Sequence, residues 1–415
     1  MSSSKPSFHP LEKRADLEAD LIFFDLFAGL GSSSIAAKWA GLTDHATYIT
    51  EAGEEQAVQL PNLLKKRFPL AVVWSRIEHL TENDHALLVS IIEAHKKRNP
   101  RVIVAAFAGF PCQDLSCKGA GRGLKGTRSG LFAHLLSVLL KLNSIGILTL
   151  FCIENVASMK PHQKTLLERA LGVKAEQVDA NLWYPTKRAR LLFTNIPHKA
   201  PIASEAIKQL QVLEPGWTTS QQACLSSPKG AAQTQWRTFM RAIAPGEPPE
   251  LPSDFWHFSF VGYGIESLVV KWPLKAEEKA IILEHLNQGD AFTADYDLTR
   301  RANLIKWIHQ EGGHHLIRPL SSVERGRALG YTAEDLYLGG KVPPRFSEQD
   351  WLASSAIGNC LSPRMILHIC AGLKDIVAQG GKQRPSGGPP LNDFQQLHPQ
   401  AVIKEILSWE GQSRR

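Results

Sequence analysis

The sequence predicts an α/β protein that is built on a parallel sheet and carries a second, smaller lobe. Short apolar runs alternate with helical patterns over the first half of the chain, which is typical of a parallel sheet with crossover helices. The chain has 415 residues, 43% hydrophobic and 21% charged, so it is long enough for one large core and a further lobe. Near residue 198 the composition shifts to Pro, Gly, Gln and scattered Trp, which marks the start of that lobe.

Five apolar runs are the predicted parallel strands, and a hairpin is predicted to close one edge of the sheet. The runs are LIFFDLF (21–27), ATYIT (46–50), LAVVW (70–74), RVIVAAF (101–107) and GILTLFCI (146–153). EQVDANLWY and ARLLFTNI, separated by PTKR, form the predicted hairpin. Helical patterns return in SSVERGRALGY and SPRMILHICAGLKDIV, and a final helix, HPQAVIKEILSWEG, follows a predicted linker at 378–390.

Composition excludes several function classes. The six cysteines, at 112, 117, 152, 224, 360 and 370, show no zinc-like CxxC pairing, so no metal site is expected. No apolar run approaches the roughly 18 to 20 residues of a membrane span, and MSSSKPSFHPLEKR has no apolar signal region. We therefore expect an intracellular protein without a membrane partner, nuclear if its source is eukaryotic. The net charge of +7 favours a polyanionic partner.

A glycine turn is the first candidate binding element. In DLFAGLGSSS (25–34) a strand ends in a Gly-x-Gly turn and enters a helix, where glycine permits close approach of a ligand and the helix offers free N–H groups. A plain βα turn would show the same short pattern. Glu51, however, ends the next strand, where a carboxylate could accept hydrogen bonds from both hydroxyls of a ribose. The pair of features predicts a cofactor that contains a nucleoside.

Cys112 lies in GFPCQDLSCKG, directly after the fourth strand. Parallel strands end at one edge of the sheet, so the thiol is expected beside the predicted cofactor. A buried structural thiol is the alternative, but Pro111 ends the strand and a glycine-rich basic loop follows at 117–130. That loop could close over a phosphate backbone, or it could simply be solvated.

An acid and several arginines follow at the same edge. Glu154 emerges from an apolar run in IENV, and PTKRAR brings Lys187, Arg188 and Arg190 to the hairpin. Arginines there could pair with carboxylates, or they could hold a flat heterocycle or a phosphate.

The ordered motifs resemble those of the cytosine-5 DNA methyltransferase family. The segments DLFAGLG, GFPCQ, ENV, KRAR, RPLSSVE and GN carry the resemblance, which covers residues 21–195 and 316–378. The stretches VLEPGW and TRRANLIKW look closest to the eukaryotic de novo DNA methyltransferase branch. The resemblance implies a Rossmann-like sheet that binds S-adenosylmethionine, a smaller target-recognition lobe, and double-stranded DNA as the partner. A homo-oligomer or a regulatory protein partner stays open.

The resemblance also implies roles for individual residues. Cys112 would attack C6 of a flipped-out cytosine, Glu154 would bind its N3 edge in protonated form, and Arg190 would contact its O2. The expected cofactor contacts are Asp25, Phe27, Gly29, Gly31, Glu51, Pro111 and Asn359. The expected DNA contacts are Gln113, Lys118, Arg122, Lys125, Arg128, Arg188, Arg237, Arg241, Arg300, Arg301 and Lys306.

The expected domain boundaries follow the motifs. They are an N-terminal extension (1–20), the catalytic core (21–198), the target-recognition lobe (199–315), a return to the core (316–378), and a linker with the C-terminal helix (379–415). Arg318, Leu320 and Glu324 match the motif that supports the lobe.

Two residues depart from the family pattern, and three other functions remain open. Thr186 replaces the usual glutamine, and Arg76 stands where an aspartate usually meets the adenine. Arg76 could stack on the adenine or pair with Glu78 or Glu51; alternatively, Glu78 is the acceptor. A tRNA cytosine-5 methyltransferase would share the core motifs, although its Cys-Phe-Thr signature is absent. A catalytically weak regulatory homologue would usually have lost the nucleophile, and a Rossmann-type dehydrogenase would explain the glycine turn alone.

Overall fold

A computed structural model of the chain divides it into two compact units. The first comprises residues 1–178, 189–201 and 360–415, and the second comprises 179–188 and 202–359. The structure describes residues 19–42, 45–51, 60–115, 122–184, 188–203, 322–337, 342, 353, 356–358, 360–382 and 385–412, together with the backbone of 218–219, 239–242, 257–260, 266–269 and 315–318.

The first unit is built on a seven-stranded sheet. Its strands are β1 (Asp20–Leu26), β2 (Ala46–Thr50), β3 (Val72–Trp74), β4 (Val102–Gly109), β5 (Leu148–Val156), β6 (Ala175–Asp179) and β7 (Ala189–Thr194). They lie in the order β3-β2-β1-β4-β5-β7-β6. The neighbours from β3 to β5 are parallel, whereas β7 is antiparallel to β5. The Rossmann-like sheet and the hairpin at its edge are therefore confirmed.

Helices pack against the sheet of the first unit, and further helices belong to the second unit. Those of the first unit are α1 (Ser32–Trp39), α2 (Leu60–Arg67), α3 (Ala86–Lys96), α4 (Phe132–Ser144), α5 (Pro161–Leu171), α8 (Arg364–Ala378) and α9 (Pro399–Gln412); those of the second are α6 (Ser322–Ala328) and α7 (Ala333–Tyr337). The central strands read as continuous apolar runs because both faces are buried. Phe24, Val104 and Ile153, one from each of three neighbouring strands, are fully buried.

The C-terminal segment packs on the first unit, where the sequence predicts a linker. Helix α9 contacts α4 and α5. Ahead of it, the Asn195 amide donates to the carbonyl of Gly387 at 3.1 Å. A Cβ on Gly172 would lie 2.0 Å from the carbonyl oxygen of Gly388, so the two backbones approach too closely for any side chain there. Residues 385–412 are thus part of the core and close its α4–α5 face.

In the part of the second unit that the structure describes, there are short antiparallel strands and two helices. Strand β9 (Phe239–Ala242) lies between β8 (Thr218–Thr219) and β12 (His315–Arg318), and β10 (His257–Phe260) pairs with β11 (Glu266–Val269). Strand β12 pairs with β9 and α6 packs on α7, and the last segment of the first unit begins at Cys360. Within the described residues, no helix combines the length and the apolar character that crossing a membrane requires.

Candidate active site

The site lies where the order of the strands reverses. Strand β1 pairs with β2 on one side and with β4 on the other, so the chain turns in opposite directions after β1 and after β4. In open α/β sheets, ligands bind outside the carboxyl ends of the strands at this reversal. The glycine turn follows β1 and the loop with Cys112 follows β4, so both predicted elements flank the same crevice position.

The glycine turn contains three residues with positive φ angles, a backbone conformation that glycine adopts readily. Phe27, Gly29 and Gly31 have positive φ angles of 56°, 55° and 78°. A non-glycine residue in this region is uncommon, and such outliers concentrate at ligand sites. At Gly31 an added Cβ would lie 2.7 Å from the ring of Phe68, so glycine is also required by close packing.

Glu51 reaches the glycine turn directly. Its Oε2 accepts a hydrogen bond of 2.7 Å from the backbone N–H of Gly29. The adjacent Thr50 accepts from the N–H of Phe27 through Oγ1 and from the N–H of Ala28 through its carbonyl oxygen, at 3.2 and 3.0 Å. The end of β2 and the turn after β1 therefore form one rigid element, with the Glu51 carboxylate at its surface.

Asp25 supports the turn from below. Its side chain is only 1% exposed, and Oδ2 accepts from the backbone N–H and the hydroxyl of Ser34, at 3.0 and 2.7 Å. Burial raises the pKa of Asp25 to about 7, partly offset by the bonds from Ser34. The carboxyl group therefore holds the first turn of α1, and the predicted contact of Asp25 with the cofactor stays a prediction.

Cys360 contacts the glycine turn and is absent from the residues that the sequence predicts. Its Sγ accepts from the N–H of Leu30 at 3.1 Å, and a Cβ on Gly29 would lie 2.8 Å from the same sulfur. The motif IGNCLSP gave a signal, but it drew attention to Asn359, which lies outside the described residues. The start of the last core segment thus lies against the predicted cofactor element.

Asp114 organises the loop that carries Cys112. The carbonyl of Cys112 accepts from the N–H of Leu115 at 2.9 Å, so the segment after β4 forms a turn. Asp114 Oδ2 accepts from the N–H of Ser129 at 3.3 Å, and a Cβ on Gly126 would lie only 2.0 Å from the same oxygen. The Ser129 hydroxyl donates to the carbonyl of Pro111 at 3.0 Å. The loop from 122 to 130 is thereby anchored behind a partly exposed Cys112.

The basic side chains of this loop face solvent. Arg122, Lys125 and Arg128 are exposed, and Lys118 lies outside the described residues. Lys125 Nζ lies 3.6 Å from the Glu410 carboxylate of α9. The described part of the loop is tied to Asp114 and to the C-terminal helix.

Gln113 presents a buried acceptor in the residue next to Cys112. Within the part of the chain that the structure describes, its Oε1 has no hydrogen-bond partner. A buried polar atom without a partner is costly and requires an explanation. A ligand donor at the crevice would satisfy it.

Glu154 and Arg190 form a buried ion pair at the same edge of the sheet. Arg190 Nε donates to Glu154 Oε1 at 2.7 Å, and a Cβ on Gly109, the last residue of β4, would lie 2.9 Å from Glu154 Oε2. The carboxylate therefore lies over the strand that leads to Cys112. Asn155 fixes the same junction, because its amide donates to the carbonyl of Phe110 at 3.1 Å.

The other arginines have different environments. Arg188 is 2% exposed and donates to the carbonyl of Gly358 at 2.9 Å within the second unit. Its guanidinium is therefore buried, whereas the predicted DNA contact requires an accessible one. Arg76 is exposed and lies 3.3 Å from Glu82, which is neither of the acids predicted to pair with it. The side chains of Arg237, Arg241, Arg300, Arg301 and Lys306 lie outside the described residues, as do Lys187, Thr186 and Leu320.

The residues present fit the expected cofactor. S-Adenosylmethionine has a ribose whose hydroxyls a carboxylate can accept from and a charged methionine end that a glycine turn at a helix N-terminus can approach closely. Glu51 and the turn from Phe27 to Gly31 supply this set of groups at the strand reversal.

Comparison with known proteins supports the family over part of the chain. Residues 21–181 match the family described as C-5 cytosine-specific DNA methylase. This stretch holds the glycine turn, Cys112 and Glu154, and it makes up less than half of the chain. S-Adenosylmethionine is the methyl donor of that family, so the predicted cofactor is confirmed. The more specific resemblance to the eukaryotic de novo branch receives no support from the match.

The remaining comparisons are less informative. No curated protein matches the chain. Among solved structures, the chain is similar to the Dnmt2 methyltransferase of S. pombe, with 15% sequence identity and a TM-score of 0.46 over 88% of this chain and 100% of that one.

Proposed function

We propose that the chain is a DNA (cytosine-5)-methyltransferase that modifies a flipped-out cytosine through a covalent bond to Cys112. The observation that carries the proposal is the buried Glu154–Arg190 pair, 2.7 Å apart, against the strand that leads to Cys112. An acid, a planar cation and a thiol at one strand edge form a set that can hold and activate a heterocycle.

Cys112 is the proposed nucleophile. A thiolate attacks readily and also leaves readily, and this reaction needs both properties. Attack on C6 forms the S–C6 bond and moves an electron pair toward C5. The bound cofactor supplies an electrophilic methyl group, which C5 then takes. Loss of the C5 proton returns the electron pair to the ring and breaks the S–C6 bond, so the enzyme is regenerated.

Glu154 and Arg190 would hold the base during this attack. The ring gains electron density when sulfur adds, and a proton or hydrogen-bond donor at N3 stabilises that density. Glu154 in protonated form would supply the donor at N3, and Arg190 would donate to O2 from the other side. The ladder between β5 and β7 places the backbones of the two residues side by side, so both side chains start from the same edge of the sheet.

DNA is the proposed substrate. The matched family is described as acting on DNA, and the net charge of +7 suits a polyanion. C6 of a stacked cytosine is inaccessible, so the base must leave the helix. The exposed Arg122, Lys125 and Arg128 would contact phosphates of the surrounding strand, and the buried acceptor of Gln113 would receive a hydrogen bond from the base or its backbone.

The second unit is the proposed reader of DNA sequence. Arg237, Arg241, Arg300, Arg301 and Lys306 remain the candidate contacts, and of these Arg241 belongs to β9. Neutralising a base-reading arginine should relax preference at one position at a cost of roughly 1 to 3 kcal/mol. Losing a phosphate contact should instead weaken all sequences alike. Five silent substitutions would exclude this unit as the reader.

A transfer assay with labelled S-adenosylmethionine tests the function. Duplex DNA and tRNA are offered separately to the wild type and to Cys112→Ser. We expect label in DNA with the wild type alone. Label in tRNA only would identify a tRNA methyltransferase, and no label in either, with intact cofactor binding, would identify a regulatory homologue. Unmethylated and hemimethylated duplexes tested side by side address the proposed relation to the eukaryotic de novo branch, which would methylate both.

A further inference from the structure

Three side chains of the first unit converge at a point that the proposed reaction does not use. They are Glu176 of β6, His198 after β7 and His368 of α8, and one potential ligand atom from each lies within 4.8 Å of the others. Strand β7 runs antiparallel to β5, so the residues that follow it lie toward the amino ends of the parallel strands. The cluster is therefore at the sheet edge opposite Cys112.

The hydrogen bonds of His198 determine which of its nitrogens can bind a cation. Nδ1 lies 2.7 Å from the carbonyl oxygen of Ile196, which can only accept, so Nδ1 carries a proton. Nε2 lies 2.9 Å from Glu176 Oε2. In a neutral ring, Nε2 would then present a lone pair to a carboxylate oxygen. This contact is favourable only if a positive charge lies between Nε2 and Oε2. That charge is either a second proton on the ring or a metal ion.

His368 supplies the observation that distinguishes a metal site from a simple ion pair. Both of its ring nitrogens are buried, and neither has a hydrogen-bond partner among the described residues. Its ring is edge-on to that of His198, with centroids 5.0 Å apart. A neutral imidazole with an unsatisfied nitrogen beside a His–Glu pair is a ready metal ligand.

Packing holds this arrangement in place. Gly372 lies one helical turn after His368 on α8, and a Cβ there would lie 2.2 Å from the carbonyl oxygen of Pro197. Only glycine allows α8 to approach the 197–198 backbone so closely. The Ile196 carbonyl orients the His198 ring, as outer partners commonly do for metal-bound histidines.

We propose that Glu176, His198 and His368 bind a zinc ion. Two imidazoles and one carboxylate are a ligand set that zinc uses with water as its fourth ligand. The ion would tie β6, the end of β7 and α8 together, so its effect is on stability and not on methyl transfer. No sequence spacing joins the three positions, and the cysteine pattern led us to expect no metal site, so this cluster has no signal at the level of sequence.

Zinc binding by the metal-stripped full-length chain tests the proposal. Isothermal titration with zinc chloride, and metal analysis after dialysis, should give one tightly bound ion per chain. Glu176→Gln should weaken that binding at least about tenfold, and His368→Ala should remove it. Glu176 is 36% exposed, so its variant is expected to fold even if His368→Ala does not. The matched control is His79→Ala, which removes a histidine from another His–Glu pair, at 3.5 Å from Glu82, and should leave binding unchanged.

Stability and spectroscopy separate this site from cysteine sites. Saturating zinc should raise the Tm of the wild type and of Cys112→Ser equally, by about 3 °C or more, and should not raise that of Glu176→Gln. Cobalt in place of zinc should show visible d–d bands without the strong near-ultraviolet band of a thiolate ligand. No stoichiometric zinc in the wild type, or unchanged binding in both cluster variants, would overturn the proposal and leave a protonated His198 paired with Glu176.

Discussion

Arg190 and Glu154 are joined at 2.7 Å with only 7% and 14% of their side chains exposed. Arg190 pairs with Val156 in the β5–β7 ladder, and Glu154 lies two residues before Val156, so both side chains project from the same face. The antiparallel insertion of β7 into an otherwise parallel sheet is thus what brings a cation to the acid. Removing one partner leaves a buried charge without compensation, which typically costs about 3 to 5 kcal/mol.

Glu154→Gln is expected to separate binding from chemistry. Glutamine keeps the size of the side chain and can face N3, but it cannot supply the proton, so methyl transfer to DNA should fall by roughly 100-fold or more. Cofactor affinity, measured by titration, should change little because Glu51 and the glycine turn, and not Glu154, are the proposed cofactor contacts. An unchanged single-turnover rate would remove Glu154 from the mechanism. Arg190→Lys is the companion variant: it keeps the charge but loses the planar donor fork.

Covalent catalysis predicts a trapped complex. A duplex with 5-fluorocytosine at the target position should form an adduct with the wild type, since fluorine cannot leave as a proton and the S–C6 bond cannot break. Denaturing electrophoresis with labelled DNA measures it. Cys112→Ser should bind the cofactor but form no adduct and lose methyl transfer by several orders of magnitude, because a hydroxyl is a far weaker nucleophile. The buried Cys370→Ser is a control that should retain the adduct. Absence of any adduct with active wild type would exclude a covalent intermediate.

The proposed cofactor site can be tested by measuring how substitutions of three charged residues, Glu51, Arg76 and Glu78, change the affinity for S-adenosylmethionine. Glu51→Gln should weaken S-adenosylmethionine binding by about tenfold or more, since a charge-assisted hydrogen bond is worth roughly 1.5 to 3 kcal/mol. Arg76→Ala should be nearly silent, because Arg76 is exposed and pairs with Glu82. Glu78→Ala should change affinity less than about threefold. A tenfold loss in Glu78→Ala with an unaffected Glu51→Gln would show that Glu78 holds the adenine and that Glu51 only supports the turn.

Periodicity was sufficient to predict the sheet but not the close contacts within it. The apolar runs from 21 to 156 gave the strands because strands that are buried on both faces must be continuously hydrophobic. The glycine turn and Cys112 were found because each follows such a run. Asp114 and Cys360 were missed because their roles depend on partners, Ser129 and Leu30, that only the folded chain brings to them.

Long-range packing explains the remaining differences. The segment 378–390 contains Gly and Pro typical of a linker, yet the same glycines allow it to approach Gly172 closely enough to pack on the core. Arg188 belongs to a basic motif that predicts exposure, but the carbonyl of Gly358 accepts from its guanidinium in a buried position. Neither contact has a signature in local sequence, because composition does not reveal which backbone lies opposite.

The C-terminal helix should contribute strongly to stability. Trp409 is 2% exposed, stacks under the guanidinium of Arg169 at 4.0 Å and donates from Nε1 to Glu405 at 3.0 Å. Trp409→Ala should therefore lower the free energy of unfolding by about 3 to 5 kcal/mol in a denaturant titration. Trp39→Ala is the matched control, because Trp39 is 42% exposed and its loss should cost less than about 1 kcal/mol. Equal effects of the two substitutions would mean that residues 385–412 do not belong to the core.

Asp25 predicts a specific dependence of stability on pH. Its pKa is about 7 in the folded chain and 3.8 in the absence of the fold. Between these values the folded state keeps a proton that the unfolded state releases, so the free energy of unfolding should fall as the pH rises from about 4 to about 7, by on the order of a few kcal/mol. The contribution is complete below pH 3.8 and is lost above the folded pKa.

Denaturant titrations of the wild type and Asp25→Asn at several pH values between 4 and 8 measure this contribution as their difference. Asparagine still offers an oxygen to the N–H of Ser34 but does not titrate, so the fall should be absent from the variant. Ser34→Ala provides the matched control: it removes a hydroxyl donor that lowers the pKa of Asp25, so the fall should extend to higher pH than in the wild type. Parallel curves for the wild type and Asp25→Asn would show that this carboxyl group is already ionised beneath the glycine turn, and that the bonds from Ser34 outweigh the cost of its burial.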